Sequence, residues 1–218
     1  MHQQWIGGGE ASPIVELHDL RLEASKTRAY LDLLDGPLAA PLAAAGVVAM
    51  GQYQVEGHAD RLLLLRGFPS VPERRQAMSD FHGSPRWQRH RAEATGLVRD
   101  ASVLLARTLA PTDRTRRLQV GQPCVLLVSE LRYAESIGDF HLWLRLFLRK
   151  AGLDPVAVYA TLESANDVPA VPVVANRTHH IALLPAGGGV PPLPTELRGM
   201  LRFSPEVLRL APAPALVW

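Results

Sequence analysis

The run "IVELHDLRLEASKTRAYLDLL" (Ile14 to Leu34) alternates with period two through Leu22 and with period 3.6 after Ser25, which predicts a strand followed by a helix. Ser25 stands where an N-cap belongs, and Tyr30, Leu33, Leu34, Leu38, Leu42 and Ala45 mark one helical face that Gly46 closes. Pro37 and Pro41 interrupt that face, so a break is expected near Gly36. "VVAMGQYQVEG" (Val47 to Gly57) and "DRLLLLRGF" (Asp60 to Phe68) are separated by a short turn and read as a hairpin. "SVPE" (Ser70 to Glu73) is a capping box that opens a helix through Met78 and Phe81. "GSPRW" (Gly83 to Trp87) restarts it, with Ser84 as cap and Pro85 in the first turn. "ASVLLARTLAP" (Ala101 to Pro111) is a last strand. The order strand, helix, strand, strand, helix, strand is that of a ferredoxin-like split unit.

After the polar, basic stretch "TDRTRRLQVGQ" (Thr112 to Gln122), where a boundary belongs, the pattern begins again. Strands are expected at Cys124–Tyr133, Pro155–Ser164, Thr178–Ala186 and Pro205–Ala213, with helices at Ser136–Gly152 and Pro194–Phe203. Two echoes fall at matching places in the two series: "VELH" (Val15 to His18) against "SELR" (Ser129 to Arg132), and "TLAP" (Thr108 to Pro111) against "RLAP" (Arg209 to Pro212). The chain therefore reads as α+β, two tandem ferredoxin-like βαββαβ units over residues 14–111 and 122–218. A four-stranded sheet with helices on one face leaves the other face apolar, so the two sheets are expected to pack face to face, as a monomeric pseudo-dimer or through a homodimer.

Composition narrows the function classes. With 23 basic and 21 acidic residues in 218 the charge is nearly balanced, and 47% hydrophobic residues is ordinary for a globular chain. The one basic cluster, Arg86 to Glu93, lies in a helical stretch and reads as a solvated face, so no nucleic-acid partner is expected. No apolar run approaches the roughly 18 residues of a membrane helix. One cysteine, Cys124, sits in an apolar run and reads as a buried thiol; with no leader pattern at the N-terminus, a cytoplasmic location is expected.

"VELHDLRLEASK", "PLAAPLAAAG", "GQYQVEG", "RGFPSVPERRQAM" and "SPRWQ" together resemble the NIPSNAP family, a branch of the dimeric α+β barrel superfamily, over residues 14–111. The resemblance implies a barrel closed by two facing sheets. It also implies a small-molecule site, with cofactor-independent oxygenase, isomerase or cyclase chemistry on an apolar or aromatic compound within the architecture's range. Alternatives are a non-catalytic interaction module and a haem-binding barrel. The family carries Arg where His18 stands and an aromatic where Leu20 stands.

Glu16 and His18 are the candidate catalytic residues. Two apart on one strand, they share a face, and a His beside a carboxylate can act as a general base near neutral pH. Val15 and Leu17 are expected under the helices, so that Glu16, His18 and Leu20 would look into the space between the sheets, with Tyr53, Arg66 and Phe68 nearby. In the second unit the matching positions are Glu130 and Arg132. A second reading stays open: Glu16 pairs with a basic residue such as Arg66 or Arg132 and forms a buried tie. Trp87 and Trp143 are expected in the core. His179 and His180, adjacent on a strand, point to opposite faces and cannot chelate one ion together. No metal motif or phosphate loop is present, nothing favours His18, His141 or His180 as a haem ligand, and no cofactor is expected.

Overall fold

The computed structural model describes residues 13–109, 122–163 and 166–213. In the first half, β1 (Ile14–Leu22) leads to α1 (Thr27–Asp35) and α2 (Ala39–Ala44), then β2 (Val48–Val55), β3 (Arg61–Phe68), α3 (Val71–Gly83), α4 (Pro85–Gly96) and β4 (Val98–Thr108). The second half runs β5 (Cys124–Glu130), α5 (Ile137–Lys150), β6 (Ala157–Thr161), β7 (His179–Pro185), α6 (Thr195–Gly199) and β8 (Glu206–Pro212). The stretch Thr112–Gln122 read as a linker lies almost wholly outside the described residues.

The eight strands close a barrel in the order β1-β3-β2-β8-β5-β7-β6-β4, with β4 returning to β1. Each half contributes one ferredoxin-like sheet, centred on β1 with β3, and on β5 with β7. Antiparallel ladders join the halves at two seams, Tyr53–Val55 against Leu210–Pro212 and Ala106–Thr108 against Tyr159–Thr161. The expected α+β barrel, with both sheets in one chain, is the observed fold.

Local signals account for most element ends. Ser70 Oγ accepts from the Glu73 N–H at 3.3 Å and donates to the Glu73 carboxylate, and Ser84 Oγ accepts from the Trp87 N–H. The helix break falls at Gly36–Leu38, between α1 and α2. Ser25 is not the cap expected of it: it adopts φ +63° in the turn before α1, whose first turn begins at Lys26 without a side-chain cap.

Three apolar clusters divide the interior. Val15, Leu17, Leu63, Leu65, Leu126, Ile181, Leu183, Leu208 and Leu210 fill the barrel. Leu20, Leu22, Leu62, Leu64 and Phe68 pack outward under α1 to α4, and Val125, Leu127, Ala182 and Leu184 pack outward under α5 and α6. This reverses the faces expected for β1. Val15 and Leu17 look into the barrel, whereas Glu16, His18 and Leu20 lie beneath the helices. Both faces of β1 are buried, so alternation alone could not assign them, and a slip of one residue exchanges the two sets.

A second correction concerns Trp143, which is 59% exposed. The inward stripe of α5 is Phe140, Leu144 and Leu148, at spacing i, i+4, i+8, which turns Trp143 to the outer face. Trp87 does pack against the first-half core, beside Phe81 and His82. The connection from β6 to β7 crosses over: its Val168 and Val171 are buried in the first half's helical cluster, and Val103 receives its backbone at Pro172 to Val174.

Candidate functional site

The seven residues singled out from sequence fall in four places. Glu16, His18, Arg66 and Phe68 lie between the first sheet and its helices, Tyr53 lies inside the barrel, Glu130 lies at the barrel mouth, and Arg132 is exposed and donates to the Leu201 carbonyl. The "VELH" and "SELR" echo thus aligns carboxylates on opposite faces, Glu16 toward helices and Glu130 toward the barrel axis.

Under the helices, Glu16 is fully buried and Arg74 of α3 equally so. Arg74 Nε donates to Glu16 Oε1 at 2.6 Å, Arg74 Nη1 donates to Asp167 Oδ1 at 2.7 Å, and His18 Nε2 lies 2.7 Å from Glu16 Oε2. Burial pushes the Glu16 carboxyl up, but the His18 hydrogen bond and the Arg74 and Arg66 charges outweigh it and hold the pKa at about 2. Burial, with Arg66 nearby, lowers the pKa of His18 despite the carboxylate. His18 is therefore a neutral imidazole donating Nε2–H to an ionised Glu16. Arg66 stands opposite Glu16 in the β1–β3 register, and it is Arg74, not Arg66 or Arg132, that closes the pair.

Inside the barrel, Tyr53 packs beside Cys124 and Tyr159, and burial pushes the Cys124 thiol up to about 11. Gly51 makes the Tyr53 ring fit, because a Cβ there would stand 2.4 Å from it.

At one end of the barrel the inward alternations terminate in charge. Val15 and Leu17 are followed by Asp19; Leu65 and Leu63 lead back to Arg61; Leu210 and Leu208 lead back to Glu206. Arg61 binds Asp19 through both Nε (2.9 Å) and Nη2 (2.6 Å), and its Nη1 lies 2.9 Å from Glu206 Oε1, so one guanidinium links the two halves across the mouth. The Asp19 hydrogen bonds hold Arg61 firmly protonated against the opposing effect of burial. Beside this pair opens a cavity of about 210 Å³ with a leucine floor, Leu17, Leu63, Leu126 and Leu208, and a polar wall of Ser102, Arg177 and His179. His179 is buried, which lowers its pKa; its Nε2 is 3.8 Å from Glu130 Oε2, and its Nδ1 has no hydrogen-bond partner. A shallower cleft of about 480 Å³ runs along the β4–β6 seam past Arg107, Glu135, Thr161 and Glu163.

Sequence reasoning passed over Arg74, Asp19, Arg61 and Glu206 and weighed His179 only as a metal ligand. A signal existed for each. Arg74 interrupts the buried helical stripe it shares with Ala77, Met78 and Phe81, and the others end or extend inward alternations.

Among the described residues no three His, Cys, Asp or Glu side chains converge as a metal site, and no helix is long and apolar enough to cross a membrane. His18 and His180 each hold a hydrogen bond at Nε2, to Glu16 and to His141, and none of the three lines either cavity.

No family model and no curated protein matches this sequence. Solved structures do. A provisionally designated monooxygenase from Lactobacillus acidophilus NCFM superposes with TM-score 0.54 at 12% identity, over 92% of this chain and 93% of that one. Another from Fusobacterium nucleatum gives TM-score 0.54 at 10% identity over 93% of each chain. A NIPSNAP family protein from Agrobacterium tumefaciens is similar over 46% of this chain and 94% of its own, at 23% identity and TM-score 0.39. At these identities the likeness is one of fold: the chain has the dimeric α+β barrel fold, with both halves of the barrel in one polypeptide.

Proposed function

We propose that this protein is a small-molecule-binding barrel whose site is the barrel mouth and whose ligand is a compact, apolar or aromatic body carrying one polar group. The observation that supports the reading is the cavity of about 210 Å³, apolar below and charged at its rim. It is smaller than the roughly 300 Å³ at which drug-sized pockets begin, which favours a ligand of one ring. The apolar body would rest on Leu17, Leu63, Leu126 and Leu208, and the polar group would meet Arg177, Ser102 or His179.

Cofactor-independent oxygenase, isomerase or cyclase chemistry on a conjugated compound would begin by taking a proton from it. His179 is the wall residue suited to that step, since burial keeps its imidazole neutral and Glu130 stands near to compensate the charge it would gain. Glu16 and His18, in this reading, serve as a buried tie that seats α3 on β1 and have no contact with ligand.

Native mass spectrometry of freshly purified protein, followed by calorimetric titration with single-ring aromatic carboxylates and phenols, tests the site. Binding that Ser102→Trp abolishes by filling the cavity from its half-buried wall, while leaving the melting temperature within a few degrees, is the expected result. Binding unchanged by Ser102→Trp, or no binding of any probe and no co-purified mass, overturns the assignment.

A further inference from the structure

We propose that the outer face of α5 is a homodimer interface on which a second copy of this chain docks, helix against antiparallel helix. The geometry that joins these features is a self-complementary stripe. Leu142, Trp143 and Leu146 are 54%, 59% and 42% exposed, a cluster of large apolar side chains on one helix. With about 100° per residue, Asp139, Leu142, Trp143, Leu146 and Lys150 fall within an arc of about 100°, nearly opposite the buried stripe of Phe140, Leu144 and Leu148. The helix already buries one complete apolar stripe in its own half, so the second stripe is not needed to hold it down.

The arrangement along the stripe identifies the partner. Asp139 lies at the N-terminal end, the apolar residues at the centre, and Lys150 at the C-terminal end. Neither charged residue has an ion-pair partner among the described residues, whereas the neighbouring Arg149 is engaged by Asp154 at 3.5 Å. The helix dipole explains an acidic first turn and a basic last turn, but not the exposed Leu-Trp-Leu between them. A twofold axis passing midway between Trp143 and Leu146 brings each Trp143 against the Leu146 of the second copy. The same axis brings each Asp139 against the second copy's Lys150. One patch thereby satisfies itself, as an isologous contact requires. Trp supplies the type of anchor that dominates such interfaces. A contact confined to two helices of 14 residues, each about 21 Å long, is small for a specific interface, and the dimer is expected to dissociate in the micromolar range.

Sedimentation velocity of the full chain from about 1 to about 200 μM, read beside circular dichroism and thermal melting, tests this. The expected result is a concentration-dependent monomer–dimer equilibrium that Trp143→Glu abolishes with the melt unchanged. Lys150→Asp should weaken dimerisation at least tenfold by setting Asp against Asp139, and Asp139→Lys combined with Lys150→Asp should restore it. A monomer at every concentration, a dimer indifferent to Trp143→Glu, or a double swap no better than Lys150→Asp alone overturns the proposal. The outcome is independent of the ligand reading, since α5 does not border the mouth cavity.

Discussion

The two halves of the barrel share a strand plan and diverge in what lies between sheet and helices. In the first half, four helices cover a buried ion pair, Glu16 and Arg74, with the neutral His18 on the same carboxylate and Asp167 reaching in from the second half. In the second half, one long and one short helix cover apolar side chains and a neutral pair, His180 Nε2 against His141 Nδ1 at 3.1 Å. Burial holds His180 down to about 3. The difference teaches where each half is vulnerable. The first depends on Glu16 and Arg74 both remaining in place, and the second depends mainly on an uncharged interior.

The sharpest way to break the comparison is Glu16→Gln, which leaves Arg74 buried without its nearest counter-charge and should cost about 3 kcal/mol in urea unfolding. Glu16→Leu combined with Arg74→Met should cost less than the single change, because the two fully buried charges leave together and only the partly exposed Asp167 loses a partner. If the double variant is the less stable of the two, the set is more than a tie. Gly51→Ala acts on the shared barrel interior rather than on either half, pushing a Cβ into the Tyr53 ring, and should lower stability by about 2 kcal/mol. Asp167→Asn, at a position partly open to solvent, should cost about 1 kcal/mol or less.

The smallest effect at neutral pH belongs to His180→Phe, expected within about 1 kcal/mol of wild type, since the imidazole is neutral and packs edge-on to Phe140. Its signature is the pH dependence. A His whose folded pKa lies near 3 and whose unfolded pKa is near 6.5 leaves the unfolded chain binding more protons between those values. Stability should thus be full above about pH 6.5 and fall as the pH drops toward 3. His18, also lowered, adds a slope of the same sign. Glu16, lowered to about 2 from 4.5, adds a further loss below about pH 4.5. Melting temperatures from pH 4 to 8 should show a flatter curve for His180→Phe than for wild type; an unchanged slope would mean that this imidazole titrates normally.

Most strands and helices, their order and the pairing of two sheets were legible because period-two and period-3.6 patterns, Ser caps and prolines are local signals. The site was less so. Phasing β1 needs to know which of two buried faces meets the helices, and Ile14, Glu16, His18 and Leu20 are as buried as Val15 and Leu17. What settles the phase is Arg74, a charge on the inner stripe of a helix that must find a carboxylate, and its partner lies 58 residues away. Asp19, Arg61 and Glu206 likewise become a set only when the barrel closes. Trp143 was misjudged from residue type; the i, i+4, i+8 run of Phe140, Leu144 and Leu148 was the better guide.

Closure itself has a consequence for the lifetime of the backbone hydrogen bonds. Within each half the ladders are long, Ile14 to Arg21 against Phe68 to Arg61 and Cys124 to Glu130 against Pro185 to His179, whereas each seam is a three-residue ladder. A closed barrel has no free strand edge to recruit a neighbouring chain, but this one can acquire four at once if the seams part while both sheets persist. Amide exchange should therefore begin at the seams, at Gln54 and Arg107 and their neighbours, ahead of the central strands. The stability that matters for keeping these molecules from pairing edge to edge is the opening free energy of two short zippers, a smaller quantity than that of unfolding either sheet.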